Sequence, residues 1–410
     1  MQRRPIQIGL AAIVVIAAAV VTVLALGDRD PSASPSPSPS ASTPSASVEA
    51  SASPSASEAP TESASPSQAA GPFEIAWEPV ELEPDADVNG VSFVGGRWFV
   101  VGQVFPEAAI WTSDDGRSWS RAEIASTRDE NEVTAVTDIV ELDGQLVAIG
   151  AFGLMESDQF AWMTWTSDDA GATWTERRGG PSPHALRAIV PAGDGLVAAG
   201  SDYAGTTPFD SWIAVSEDGL TWERTPATFP DSEIHSLAVR EDRIVAVGNS
   251  YVDGDFDARA WYSDDGGEAW TLVEIPDGGA PETLYEVVAT DDGFVAIGDG
   301  VSGEGDSGAA AWVSADGASW ERVAVADAAD GRALAPVEGG LVAVGNIVGQ
   351  DVGPGLSWTS VEGRTWESGP DLNDGSVVLI AADGDGSVVV AGGQCLGSCD
   401  AVLWIGEVTR

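Results

Sequence analysis

The sequence predicts an all-β fold: a seven-bladed β-propeller of four-stranded blades, preceded by an N-terminal transmembrane helix and a disordered stalk. Three features lead there. An apolar strand ending in glycine occurs seven times, at Gly102, Gly150, Gly200, Gly248, Gly298, Gly345 and Gly392, spaced 47 to 50 residues apart. A short turn ending in tryptophan follows each of the first six. The two ends of the repeat region, FEIAWEPVEL around Trp77 and AVLWIGE around Trp404, read as complementary halves of one further unit. A repeat of this period decides architecture before any single residue does. Each unit holds four alternating apolar runs separated by Asp/Gly turns, which is the pattern of one blade.

Taken in chain order, residues 1–7 include Arg3 and Arg4 and read as a cytoplasmic N-terminus. Residues 8–27 follow as a transmembrane signal anchor. The apolar run from Ile8 to Leu26 approaches the length needed to cross a bilayer and exceeds the roughly 7–15 residues of a cleaved signal core. The basic flank stays inside, so the bulk of the chain is expected outside the cytoplasm, on a single-pass protein of the cell membrane. Small residues Ala25 and Gly27 before Asp28 leave cleavage, and a secreted product, open. Residues 28–72 are Ser/Pro-rich, contain almost nothing able to form a core, and are expected as a disordered stalk reaching on the order of 100 Å. Residues 73–410 form the propeller. Closure of its ring comes from residues 73–82, which should pair with residues 400–408 and so leave no open sheet edge.

Charge narrows the partners. The chain has 65 acidic against 18 basic residues, all of them Arg, for a formal net charge of -47. Such a surface repels phosphate backbones, so no nucleic acid partner is expected. Expected partners are an extracellular protein or glycan, and the membrane through the N-terminal helix; the propeller itself is expected to be monomeric. The two cysteines, Cys395 and Cys399 in CLGSC, face an oxidising compartment and suggest a local disulfide. Their spacing, without a nearby His, suits neither zinc nor redox chemistry.

The tryptophan-terminated segments, among them SDDAGATW and SDDGGEAW, resemble the Asp-box (BNR) repeat, S/T-x-D-x-G-x-S/T-W, of propellers in the sialidase-like superfamily. The resemblance recurs across residues 73 to 408. It implies a hairpin turn in which an aspartate accepts hydrogen bonds from turn amides; Asp114, Asp169, Asp218, Asp265 and Asp316 are expected in that structural role. The turns carrying Asp218 and Asp316 read as shortened, and the last has Val361 where an acid is expected. Of the sixteen tryptophans, thirteen fall at two repeated positions and are expected in packing; Trp98, Trp162 and Trp212 are the exceptions.

Strand order puts these turns on one end of the propeller. The loops after each repeated glycine, with the starts of the innermost strands, lie at the other. Aligned, the innermost strands begin with Asn89, Thr137, Arg187, His235, Tyr285, Arg332 and Ser376, a ring of polar side chains at the channel mouth and the default ligand pocket; a water-filled mouth that binds nothing is the alternative. The superfamily resemblance implies a possible sialidase set of arginines, Tyr and Glu, for which Arg187, Arg259, Arg332, Tyr285 and Glu286 are the candidates. Adjacent Tyr285 and Glu286 should point to opposite faces of a strand, however, and no Arg-Ile-Pro segment stands near the propeller's start. Asp253, Asp255 and Asp257 alternate in one loop and could gather oxygens around calcium, though the loop lacks the Gly and distal Glu of an EF-hand. No other cofactor is expected. With only His184 and His235 present, a histidine-rich metal centre is excluded. The expected function is a non-catalytic binding or scaffold module at the cell surface; the alternatives are a sialidase-like glycoside hydrolase and a structural spacer or adhesion module.

Overall fold

The computed structural model describes residues 73–409 except 155–159, 180–183, 203–209, 253–254, 277–281, 302–306, 350–352, 374 and 396–398. The expectations for residues 1–72 lie outside the described residues. Among the described residues, no helix is long and apolar enough to cross a membrane.

Seven antiparallel sheets follow one another in a closed ring. Their innermost strands are Ala86–Val94, Glu132–Leu142, His184–Ala192, Ser232–Arg240, Thr283–Thr290, Ala329–Val337 and Ser376–Ala382, here taken to begin blades 1 to 7. Each contacts the next, and that of blade 7 contacts that of blade 1. The predicted closure is present: Glu74–Val80 is the outer strand of blade 7, in register from Glu74 opposite Thr409 to Val80 opposite Leu403. One departure is that blade 2 has five strands. After pairing for only two residues with Trp111 and Thr112, the outer strand of blade 1 crosses over. Its continuation Glu123–Ala125 then runs parallel to Thr173–Arg178 and covers the edge of blade 2.

The core is divided among the blade interfaces, because each twisted sheet buries both faces against its neighbours. Phe99, Val101 and Ile110 of blade 1 pack on Met163, Trp165 and Trp174 of blade 2. The ring is sealed where Trp98 and Trp111 of blade 1 meet Val389, Leu403 and Ile405 of blade 7. Trp98 is buried in the blade 7–blade 1 interface, and Trp212 in the blade 2–blade 3 interface with Trp162 packed against the same cluster, so all three tryptophans outside the repeated positions serve packing too.

The serine–aspartate turns explain the tryptophan signature. In the second turn Ser167 Oγ accepts from the Gly171 amide at 3.0 Å, and Asp169 accepts from the Thr173 amide at 2.9 Å. The Trp174 indole donates to the Gly171 carbonyl at 3.1 Å. The same indole-to-glycine bond closes the other five turns. In the first turn the structural acid is Asp115, which accepts from the Arg117 and Ser118 amides, not Asp114. Asp114 is exposed and pairs with Arg97 at 2.7 Å. Adjacent acids in SDD hide this one-residue difference; the third residue of the motif faces the turn amides. For the same reason Val361 replaces the outward residue, and Glu362 stands at the acid position of the last turn. The shorter spacing is also commoner than expected: only the turns ending at Trp174 and Trp270 carry the extra residue, at Ala170 (φ 57°) and Gly266 (φ 73°).

The repeated glycines have a different cause. In every blade the innermost strand is bulged by one residue opposite that glycine, as where Ile234 pairs with Gly248 but Ser236 pairs with Val247. The bulge drives a backbone carbonyl toward the second strand. A Cβ on Gly102, Gly150, Gly248, Gly298, Gly345 or Gly392 would lie 1.8 to 2.1 Å from that oxygen. At Gly200 it would strike the Trp212 ring at 2.3 Å. Substitution of Gly248 by Ala is therefore expected to destabilise the protein by about 3 kcal/mol or more, because backbone must move. At Gly144, with φ 85° and nothing within 4 Å of a built Cβ, Ala should cost only about 1–2 kcal/mol. Urea unfolding of the two full-length variants checks this ranking, and equal losses would refute it.

Candidate functional site

Six of the seven predicted mouth residues are the bulge residues themselves: Asn89, Thr137, Arg187, His235, Tyr285 and Arg332. The seventh is a correction. In blade 7 the bulge falls at Val378, between the Val377 and Leu379 pairs, so Ser376 sits two residues early and pairs opposite Gly393. Counting back from the first apolar residue fails there because the bulge residue is itself apolar.

The ring is not uniform. Asn89 Nδ2 donates to the Val136 carbonyl at 2.9 Å, and Thr137 Oγ1 to the Leu186 carbonyl at 2.9 Å. Each latches its blade to the next. Between blades 6 and 7 Asn346 does this, donating to the Val377 carbonyl at 2.9 Å and accepting from its amide at 2.7 Å. Blades 3 to 6 carry the ionisable groups. Arg187 pairs with Glu233, and His235 lies 3.3 Å from Asn249 Nδ2. The rings of His235 and Tyr285 meet edge to face at 5.7 Å. Arg332 stacks its guanidinium 4.4 Å above the Tyr285 ring and reaches Asp330 at 2.5 Å. Tyr285 donates its hydroxyl to Asp299 at 3.0 Å.

Burial sets the protonation of this cluster. It raises the Asp299 carboxyl to about 6 and raises the Tyr285 phenol, where the Asp299 charge adds to the effect. It lowers His235, against the pull of Glu233, so the imidazole is neutral. The arginines are already matched with acids. Even so, Nε and Nη1 of Arg332 are buried without a hydrogen-bond partner among the described residues. Two unmet charged donors in one guanidinium are costly, and an enclosed water or an acceptor from outside the chain would meet them.

The candidate hydrolase set is not assembled. Arg187, Tyr285 and Arg332 share the mouth. Arg259 lies elsewhere, bonded to Asp257 at 2.9 Å in a rim groove of about 790 Å³ lined by Phe229, Tyr251, Trp261 and Trp270. Glu286 turns away from Tyr285, as strand alternation requires, and accepts from the Leu334 amide of the next blade at 2.8 Å. The calcium expectation rests partly on Asp253, outside the described residues. Of its companions, Asp255 bonds the Phe256 amide and Asp257 is held by Arg259. Among the described residues, no three His, Cys, Asp or Glu are grouped to hold a metal. Cys395 stands opposite Cys399 in the strand register, and the side chains of both, with the expected disulfide between them, lie outside the described residues.

A second set of groups went unread in the sequence. In blades 2, 4 and 5 the residue after the bulge points the other way and caps an amide of the following blade. Asp138 accepts from the Ile189 amide at 3.1 Å, Ser236 from Val287 at 3.3 Å, and Glu286 from Leu334. Burial pushes Asp138 up to about 7 and Glu286 up to about 8, the Asp138 charge adding to the latter. The only sequence signal was an acid inside an apolar innermost strand, as in AVTDIVEL and YEVVAT.

No protein-family model matches the chain, and no curated protein matches it. Among solved structures it is similar to a protein of unknown function from Dyadobacter fermentans, at 15% identity over 69% of this chain and 96% of that one, TM-score 0.47. It is also similar to the phage phi92 endosialidase, at 11% identity over 82% and 70% of the two chains, TM-score 0.49. A third is the Hadza microbial sialidase Hz136, at 13% identity over 80% and 66%, TM-score 0.47.

The buried acids predict a pH dependence. Their folded pKa values lie above the unfolded carboxylate range, so the native state binds more protons from about pH 4 to 8, and their contribution falls as pH rises through 7 and 8. The turn aspartates act oppositely: amide hydrogen bonds lower Asp115, Asp218, Asp265 and Asp316, and bonds from Thr173 lower Asp169, so their stabilisation is lost only in acid. The melting temperature should therefore peak near pH 4 to 5 and fall by about 3 °C or more toward pH 8.5. Glu286→Gln should flatten the alkaline limb. Calorimetry across pH checks both, and an unchanged slope in the variant would contradict the assignment.

Proposed function

We propose that this chain is a non-catalytic binding propeller of the Asp-box type, held at the cell surface by the apolar segment 8–27, with residues 28–72 as a spacer. Its mouth takes an acceptor oxygen from a protein or glycan partner. The observation that carries this reading is Arg332, whose Nε and Nη1 have no hydrogen-bond partner among the described residues while its charge is held by Asp330. Arg187, His235 and Tyr285 then form the walls that select what approaches.

The hydrolase reading draws on the proximity of Tyr285, Asp299 and Arg332, but the chemistry at these atoms runs against it. A tyrosine nucleophile needs a base that takes its proton, which means a lowered phenol pKa. Here burial raises it, and the adjacent Glu286 is committed to the Leu334 amide. The guanidinium of Arg187 is occupied by Glu233.

Two measurements on the full-length protein test the proposal. Hydrolysis of a fluorogenic sialoside from pH 4.5 to 7 is expected to stay at the buffer background. Turnover that disappears in Tyr285→Phe and in Arg332→Ala would replace the proposal with the enzyme reading. On arrays of oligosaccharides and peptides, the wild type should give signals that Arg332→Lys loses at unchanged melting temperature. Lysine keeps the charge beside Asp330 but loses the planar donors.

A further inference from the structure

Exposed apolar side chains are concentrated at one end of the propeller. Among the described residues seven large ones are exposed, and five of these, Phe105, Leu154, Tyr251, Val252 and Val348, stand on hairpins joining second and third strands. Those hairpins follow the repeated glycines and surround the mouth. The other two, Leu272 and Val361, belong to an outer strand and a serine–aspartate turn. Isolated exposed apolar residues need no explanation, but a set standing around one opening in four different blades does.

The apolar tips are set in negative charge. Asp85, Glu130, Asp231 and Asp327, at the entries to innermost strands, are exposed at the same end. The cations nearby are already matched: Arg128 with Glu107, Arg259 with Asp257, and within the mouth Arg187 with Glu233 and Arg332 with Asp330. This end therefore offers apolar anchors in an acidic field on a chain of net charge -47. A second copy of the chain would bring the same field against itself, and anionic lipid would be repelled likewise.

We infer that the mouth end docks on a cationic protein surface, with the apolar tips inserting between its Lys or Arg residues. The inference builds on the binding-module reading in placing the partner at this end, and it adds the partner's chemistry. Opposite charge speeds and orients the encounter, and the tips supply desolvated area, as anchors in protein interfaces do.

The test uses the full-length protein, a fluorescent amphipathic peptide of Lys and Leu, and the same peptide with Glu for Lys. Anisotropy should show binding of the Lys peptide alone, weakened about tenfold or more between 20 and 300 mM salt. The variant carrying Phe105→Ser and Val348→Ser, both at exposed sites, should bind about tenfold more weakly at an unchanged melting temperature. Val361→Ser, at an exposed site on a serine–aspartate turn at the other end of the propeller, should bind as wild type does, and loss of peptide binding there would overturn the inference; the array result for Arg332→Lys tests the mouth reading separately. Equal affinity of wild type and the double variant would overturn it, reducing the attraction to bulk charge. Binding of the Glu peptide would overturn it as well. So would partition onto zwitterionic phosphatidylcholine vesicles that the double variant loses, since the end would then be a lipid-facing surface.

Discussion

The close approach between the second-strand glycine and a carbonyl of the innermost strand is the contact on which the rest of this propeller depends. It recurs in six blades, with a Cβ excluded at about 2 Å, and the seventh replaces the carbonyl with the Trp212 ring. The bulge that makes it necessary does two things at once. One residue is turned toward the mouth, and the next is turned toward the neighbouring blade. Bulges commonly re-aim side chains next to functional sites. Here the bulge is repeated around a ring, so one backbone irregularity supplies the polar mouth residues of six blades and, in blades 2, 4 and 5, an inter-blade amide cap as well.

Much of this was legible in the sequence because each blade repeats the experiment. Blade number, strand order, ring closure and six of the seven mouth positions follow from alignment of repeats alone. The errors came where one residue of register matters. Asp114 and Asp115 are chemically identical neighbours, and only the turn geometry decides which meets the amides. Ser376 comes from aligning the starts of the innermost strands, whereas the bulge in blade 7 falls on Val378. Arg259 was grouped with Arg187 and Arg332 by residue type, yet third-strand placement carries it to the rim. The capping role of Asp138 and Glu286 is not legible for a different reason, although Glu286 stands among the hydrolase candidates. Their partners are backbone amides of the next blade, which have no signature in a linear pattern.

Electrostatics divides the molecule by depth. On the outside, acids outnumber cations, and exposed ion pairs such as Arg97–Asp114 contribute little. In the mouth Arg187 meets Glu233 and Arg332 meets Asp330, so the local charge there is close to balanced. In the innermost strands, carboxyl groups hydrogen-bonded to amides of the adjacent blade are held up near neutrality. The same residue type thus serves as turn staple, counter-ion and protonated cap, according to how much water remains around it.

Closure of blade 7 by Glu74–Val80 has a consequence for how the chain reaches this state. The pairing of Glu74 with Thr409 joins residues more than three hundred positions apart, so the last sheet lacks its outer strand while either is withheld. Until then the blade 7 third strand has an open edge and the interface with blade 1 lacks its final support. Contacts of such long sequence separation are expected late and slowly in folding. A chain interrupted anywhere before its last strand would remain an unsealed stack of sheets, vulnerable to proteolysis, which makes ring closure a built-in check that the polypeptide has arrived whole.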